Sequence, residues 1–388
     1  MDSAPGTTPA AEGATVTIFS PSDGDGGVDR MLVNLATGLD AIGLTVQFVI
    51  SRLDSPFLHG LPAGVRVLTC PRDGEPLRAW LADHLTRAAP TALVSARLAD
   101  DEVAVAARAS TSSPTRVYLR VGTTFSARQR AQGRHVLARW WENRRLRRVL
   151  HRADRVLCVS RGVAEDLRAL CSLPPDRLSV VPNPVITDEL PILAAAPVEH
   201  PWLATAGDVP VVIGIGRLAT SKNFPMLLQA FARVRRQRAV RLLVLGEGRQ
   251  RARLLALRHR LGIGSDVDLP GFVSNPYSYL ARAAAFVLSS SVEGSPNALV
   301  EALACGCPVV ATDCPSGPRE ILQGGRLGRL VPIGDPQAMA EAILATLDGP
   351  RPGADVAEAL APYEVRASAR AYALAMDLSV TPAGTPPR

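Results

Sequence analysis

Pro210-Val-Val-Ile-Gly-Ile-Gly-Arg-Leu-Ala-Thr-Ser-Lys222 is the stretch on which the reading of this chain turns. Its apolar half reads as a buried strand, and its second half is the loop such a strand delivers. Open α/β sheets bind ligands at these strand ends. Of the 43 lysines and arginines, Lys222 is the one lysine. Arginine offers a flat fork, lysine a compact point charge on a flexible stem. Arg217 and Lys222 together suit a bent, doubly charged group such as a diphosphate. The plainer alternative is a lysine left by chance on a surface loop.

Outward from this stretch, short β-rich runs alternate with helical patterns. Before it, strands are expected at residues 15–20, 44–50, 65–68, 92–95, 116–121, 156–159 and 178–181. Met31, Leu32, Leu35, Ala36 and Leu39 form one helical stripe within residues 28–42. From residue 210 on, strands are expected at 211–215, 241–245, 267–269, 285–289, 308–312 and 329–331. Helices are expected at 225–238, 250–261, 296–304 and 336–347. The alternation predicts an α/β fold of two Rossmann-like, doubly wound domains facing a central cleft. Pro182, Pro184, Pro191, Pro197 and Pro201 crowd a stretch of weak periodicity that reads as a linker. The expected layout is a flexible tail at 1–14, a first domain at 15–182 and a linker at 183–209. A second domain follows at 210–360, then a helix at 361–380 that packs back on the first domain, and a flexible tail at 381–388.

A chain of 388 residues exceeds one hydrophobic core. Hydrophobic content of 47% with 20% charge describes a globular protein. Residues 1–14 lack the basic and apolar regions of a signal peptide, and no apolar run approaches the ~20 residues of a membrane helix. The six cysteines include no CxxC pair, and Cys305-Gly-Cys307 is too tight for the usual zinc spacing. A reduced, cytoplasmic protein with no structural metal is expected. Net charge is +7, and residues 128–155 hold ten arginines against Glu142 and Asp154, a surplus of eight. The basicity is therefore a patch, which points to an anionic surface or substrate.

Ser289-Ser-Ser-Val-Glu293-Gly-Ser-Pro-Asn-Ala-Leu-Val-Glu301 carries the most chemistry. Ser295 is expected as N-cap and Pro296 as first helical residue. The helix start would point free N–H groups and partial positive charge at whatever lies before it. Glu293 and Glu301 would bracket that anion site and accept hydrogen bonds from sugar and ribose hydroxyls. Taken alone, two glutamates at this spacing also fit a solvated pair.

Several stretches in order resemble the retaining glycosyltransferases of family 4. They are Glu293-x7-Glu301, Gly216-Arg-Leu-x3-Lys222, Cys307-Pro-Val-Val-Ala-Thr-Asp-Cys-Pro-Ser-Gly-Pro-Arg-Glu-Ile-Leu322, Gly26-Gly-Val-Asp-Arg30 and Val181-Pro-Asn-Pro-Val185. The resemblance implies the GT-B architecture, with the first domain binding acceptor and the second a nucleotide-sugar. It implies that Glu293 binds the donor sugar, Glu301 the ribose, and Arg217 and Lys222 the diphosphate. Pro296, Asn297 and Ala298 would contact the donor, and Phe272 and Val273 would border its base. Gly26 and Gly27 would allow close approach, although they equally suit an ordinary strand-to-helix turn. The donor, a UDP- or GDP-sugar, would be a co-substrate, with neither cofactor nor metal required.

The chain departs from its relatives where many place an acceptor-side His or Asp. Arg120 stands near that position, and Arg97 and Asp100 are further acceptor-side candidates. The basic segment contains Trp140, Trp141, Leu146, Val149 and Leu150, a pattern suited to an anionic membrane surface. The alternative is a solvated Arg-rich helix whose Trp and Leu pack on the sheet. No nucleic-acid motif accompanies it. The expected function is transfer of a sugar from a nucleotide diphosphate to a carbohydrate or lipid-linked glycan, in surface-polysaccharide or glycolipid assembly. The expected location is the cytoplasm, peripherally at the inner face of the membrane. A sugar-nucleotide epimerase, a phosphorylase and a non-catalytic binding module are the alternatives.

Overall fold

The computed structural model describes residues 14–21, 26–54, 58–204, 207, 209–353 and 355–379. The expected tails at 1–14 and 381–388 lie outside these residues, residue 14 apart. β-branched and aliphatic runs form two parallel sheets. The first contains β1 (Thr15–Phe19), β2 (Thr45–Ile50), β3 (Arg66–Thr69), β4 (Ala92–Ser95), β5 (Arg116–Val121), β6 (Arg155–Cys158) and β7 (Leu178–Val180). The second contains β8 (Val211–Ile215), β9 (Arg241–Leu245), β10 (Val267–Gly271), β11 (Ala285–Leu288), β12 (Val309–Thr312) and β13 (Arg329–Val331). Every expected strand is present, with bounds moved by two residues or fewer.

The spatial orders are β3-β2-β1-β4-β5-β6-β7 and β10-β9-β8-β11-β12-β13. β1 pairs with β2 from Thr15 against Thr45, and with β4 from Val16 against Ala92. Strand order thus reverses at β1 in one sheet and at β8 in the other. Such a reversal opens a crevice beyond the carboxyl ends of the strands. Helices cover both faces of each sheet, which is why β4, β11 and β12 are buried at every position. The pleat sorts the side chains with period two: Val94 joins Ile18 and Leu32 on one face, and Leu93 joins Phe19 and Leu119 on the other.

The chain passes between the two units twice, side by side. Val185 and Ile186 donate their N–H groups to the Tyr363 carbonyl at 2.9 and 3.0 Å. The Val365 N–H returns to the Ile186 carbonyl at 3.0 Å. Residues 183–209, read as a linker, carry two short helices, Leu190–Ala195 and Pro201–Ala204. The last helix, Val365–Ala375, lies against the first, Gly27–Ala41, and buries Ala369, Tyr372 and Ala373 in the first unit's core. Tyr118 anchors its end by donating its hydroxyl to the Met376 carbonyl at 2.7 Å.

Candidate active site

The loop after β8 is held by a second loop. The Leu218 N–H reaches the Glu247 carbonyl at 2.8 Å, and the Gln250 N–H reaches the Leu218 carbonyl at 2.9 Å. Gly246 and Gly248, with φ of +133° and +153°, lie so close to Gly216 and Leu218 that a Cβ would strike their backbone. Gly246-Glu-Gly248 is therefore a brace under the cationic loop. A short 3-10 turn, Thr220–Lys222, then presents the lysine.

Lys222 meets Glu293 there, Nζ to Oε1, at 2.5 Å. Ser290 donates its hydroxyl to the same Oε1 at 2.6 Å. Thr312 fixes the loop by donating to the Ser290 carbonyl at 2.5 Å, and Ser289 by donating to the Lys222 carbonyl at 2.8 Å. Both charged side chains are largely shielded from water, so each keeps the other from being an unpaired charge.

Arg217 reaches across to the first unit. A Cβ built on Gly26 would lie 2.9 Å from its Nη2, so the missing side chain is the space the guanidinium uses. Nothing lies within 4 Å of the equivalent point on Gly27. Beside them Asp29 accepts from the Gly26 N–H at 3.2 Å and pairs with Arg97. Arg97 also donates to the Ser20 hydroxyl at 2.8 Å. The acceptor-side candidate Arg97 is thus part of the wall around the Gly26 turn.

The helix carrying Glu301 spans Asn297–Ala304, with Pro296 as N-cap and no side-chain cap. The expected Ser295 cap is not formed. The Ser295 carbonyl instead accepts from the Asn183 amide at 3.4 Å, and the same amide donates to Asn297 Oδ1 at 2.7 Å. A tertiary contact has moved the helix start by one residue. The N–H groups of Asn297 and Ala298 make no hydrogen bond among the described residues. Glu301 is buried and ion-paired with Arg30 from the first unit, whose guanidinium also lies 5.5 Å from the Tyr277 ring centroid.

Two other candidates are not open to a ligand. Arg120 is buried, donating to Asn183 Oδ1 at 2.7 Å and to the Tyr372 hydroxyl at 3.2 Å. Asp100 is buried, and its charge adds to the burial that raises the Cys70 thiol. The sheet and its helices have enclosed both, so neither is an open acceptor contact. Phe272 is exposed beside β10, while Val273 is half-buried and packs against the second unit's core. Burial also pushes the six free thiols up, to about 11 for Cys171 and about 12 for the other five.

Several contributors were not legible as site residues. Thr124 donates to the Glu293 carbonyl at 3.4 Å. Ser160 and Ser316 bond hydroxyl to hydroxyl at 2.6 Å across the cleft. Glu320 accepts from the Arg161 and Gly162 N–H groups at 2.9 and 3.0 Å, capping the helix Arg161–Cys171 from the opposite unit. Arg30 and Asn183 lay inside quoted motifs, and that was their only signal.

The basic segment runs from the end of the helix Phe125–Ala131 through the helix Val136–Leu150 to the start of β6. Leu146, Val149 and Leu150 are buried. Trp140 and Trp141 are not: they are 51% and 62% exposed, beside exposed Val136 and Leu137. Of the alternative, a solvated Arg-rich helix whose Trp and Leu pack on the sheet, the tryptophan part is overturned, while Leu146 and Leu150 do join the first unit's core. Among the described residues no helix is long and apolar enough to cross a membrane.

Two Rossmann-like units closing on one cleft, with the switch points of both sheets turned toward it, define a protein of GT-B architecture. A family model described as Glycosyl transferases group 1 matches residues 209–349, and one described as Glycosyltransferase Family 4 matches residues 25–189. The chain belongs to glycosyltransferase family 4. It is 34% identical over 197 residues to the N-acetylgalactosamine-N,N'-diacetylbacillosaminyl-diphospho-undecaprenol 4-alpha-N-acetylgalactosaminyltransferase of Campylobacter jejuni, covering 51% of this chain and 52% of that one. It is 37% identical over 146 residues to the lipopolysaccharide core biosynthesis glycosyltransferase LpsE of Rhizobium meliloti, covering 38% and 42%. The chain thus aligns with about half the length of these relatives or less. In fold it resembles the lipopolysaccharide outer core galactosyltransferase WaaB in its apo form (TM-score 0.69, 20% identity, covering 94% of this chain and 99% of that one). It also resembles Anabaena HepE in complex with UDP and glucose (TM-score 0.72, 18% identity, covering 94% and 100%).

Proposed function

We propose that this chain is a retaining glycosyltransferase that moves a sugar from a nucleotide diphosphate to a glycan or lipid-linked acceptor in surface-polysaccharide assembly. The observation that carries the reading is the Lys222–Glu293 pair, 2.5 Å apart at the switch point of the second sheet. A cation and a carboxylate held together there are what a diphosphate and a sugar ring need on either side of the breaking bond.

In this reading the anomeric C–O bond to the diphosphate breaks, leaving negative charge on phosphate and positive character on the ring. Lys222, Arg217 and the start of the helix Asn297–Ala304 meet the negative charge, contacts typically worth ~2–4 kcal/mol each. Glu293 holds the sugar hydroxyls, and Glu301 takes the ribose once Arg30 yields. The acceptor oxygen attacks the face the phosphate leaves. Its proton passes to the departing phosphate oxygen, so retention needs no protein nucleophile. The cations of the chain take the place a metal would otherwise fill.

The acceptor side of the proposal rests on the Arg-rich helix. Trp140, Trp141, Val136 and Leu137 offer an apolar edge, and the surrounding arginines favour an anionic leaflet. The named activity of the Campylobacter jejuni relative, on a diphospho-undecaprenol-linked sugar, supports a lipid-linked acceptor.

The test is product analysis. UDP-, GDP-, ADP- and dTDP-sugars are screened by thermal shift, because a bound ligand raises the melting temperature. The stabilising donor is then incubated with lipid-linked glycans, and the new linkage is assigned by NMR. Inversion at the anomeric carbon would refute the retaining reading. Product without acceptor would favour an epimerase, and product only with inorganic phosphate a phosphorylase. Nucleotide binding without turnover on any acceptor would leave a binding module.

A further inference from the structure

A buried arginine decides which way an amide points at the mouth of the helix Asn297–Ala304. Arg120, at the carboxyl end of β5, is 4% exposed, and Asn183, at the crossing between the units, is 2% exposed. A guanidinium has only N–H donors and nothing with which to accept. Its Nη2 lies 2.7 Å from Asn183 and therefore takes the Asn183 carbonyl oxygen. The Asn183 NH2 is then committed to the other side, where it donates to Asn297 Oδ1 at 2.7 Å and to the Ser295 carbonyl at 3.4 Å. Turning Asn183 over would set NH2 against guanidinium in a buried space, two donors facing each other.

The constraint passes on. Asn297 is the first residue of the helix and only half buried. Its Oδ1 is held by Asn183, so its Nδ2 must face away, and that Nδ2 makes no hydrogen bond among the described residues. Asn297 opens the helix, at whose positive end its own N–H and that of Ala298 are free among the described residues. Reversed, the same side chain would present a carbonyl oxygen to an approaching anion.

We propose that Arg120 and Asn183 form an orienting relay that holds the Asn297 amide with its NH2 toward the donor diphosphate. This rests on the donor reading above. Arg120 and Asn183 are positioning residues: they act through Asn297 and across both units. The relay also gives Arg120 a role that burial denies it at the acceptor.

Asn183→Asp tests the relay, because the new carboxylate keeps its bond with Arg120 but has nothing to donate. Asn297 must then turn, giving its NH2 to that carboxylate and its oxygen to the ligand. Calorimetry uses the tightest binder among UDP, GDP, ADP and dTDP. Asn183→Asp should weaken it about tenfold or more, since a charge-assisted donor is replaced by a repelling acceptor. Asn297→Ala should weaken it only about threefold, and adding Asn183→Asp to that background should change nothing further. Arg120→Met, which removes the orienting cation, is the second variant. It should weaken binding a few-fold with Asn297 present and not at all in the Asn297→Ala background. Unchanged affinity in Asn183→Asp would overturn the relay, as would an equal loss in both backgrounds, which is what simple structural damage gives. A wild-type chain that binds none of the four nucleotides sinks the donor reading, and the relay with it.

Discussion

Glu293→Gln and Lys222→Ala should move the affinity for a bare nucleoside diphosphate in opposite directions. Lys222 Nζ and Glu293 Oε1 are 2.5 Å apart, and Ser290 adds a second donor to that oxygen at 2.6 Å. A diphosphate must draw Lys222 away from this partner before it can bind. A hydrogen bond to a charged group contributes about 1.5–3 kcal/mol, and about 1.4 kcal/mol is tenfold in affinity. Lys222 is partly open to water, which halves the useful range, so Glu293→Gln should tighten UDP or GDP about 3–10-fold. Lys222→Ala loses its bond to the phosphate and leaves the Glu293 carboxylate facing it, so affinity should fall about 10–100-fold. Turnover should drop at least ~100-fold in both, because the sugar loses its carboxylate or the leaving group its cation. Isothermal calorimetry reads the first effect and initial rates with the identified donor the second. Weaker nucleotide binding in Glu293→Gln, or Lys222→Ala turnover within about threefold of wild type, would refute the reasoning.

Gly26→Ala places a Cβ 2.9 Å from Arg217 Nη2, while the backbone φ of −114° accepts alanine without strain. Its melting temperature should hold and its donor KM rise about tenfold; an unchanged KM would sink the assigned purpose of that glycine. Burial holds the Asp101 carboxyl well above its ordinary value of 3.8, so the folded chain keeps a proton that the unfolded chain releases as pH climbs past 3.8. That contribution is complete below 3.8 and falls with rising pH until the folded carboxyl itself ionises. Asp101→Asn should therefore melt higher than wild type at about pH 8, with the gap closing toward about pH 4; a variant that is less stable at the higher pH counts against it. The chain should bind vesicles containing phosphatidylserine, more weakly as salt rises, and Trp140→Ala with Trp141→Ala should abolish binding. Equal binding to neutral vesicles would remove the membrane reading.

The sheets were legible because parallel strands buried on both faces carry short, nearly continuous apolar runs rich in β-branched residues, and Val211–Ile215 and Val309–Thr312 do. That Lys222 and Glu293 would meet was legible because both follow the carboxyl ends of strands, β8 and β11, that turn out to be neighbours in the sheet. What was hidden depends on contacts between distant parts of the chain. Nothing local to Glu301 announces Arg30, and nothing near Asn297 announces Asn183. The Ser295 cap failed for the same reason: a good local capping residue lost its carbonyl to a side chain more than a hundred positions away. Burial of Arg120 and Asp100 follows from how the helices cover the first sheet, which composition does not specify. The tryptophans could be read either way until the rotation of their helix was known.

The last helix closes the first unit, and this imposes an order on synthesis. The first sheet ends at Val180, but the helix that seals one of its faces begins at Val365. At ~5–20 residues per second, a ribosome needs about 10–40 s to make the stretch between. During that interval the slot for Ala369, Tyr372 and Ala373 stands unfilled and Tyr118 lacks its Met376 carbonyl. The nascent half must tolerate an open apolar seam while its partner is translated. A frameshift or stop codon before Val365 would therefore cripple the unit whose sheet runs from Thr15 to Val180.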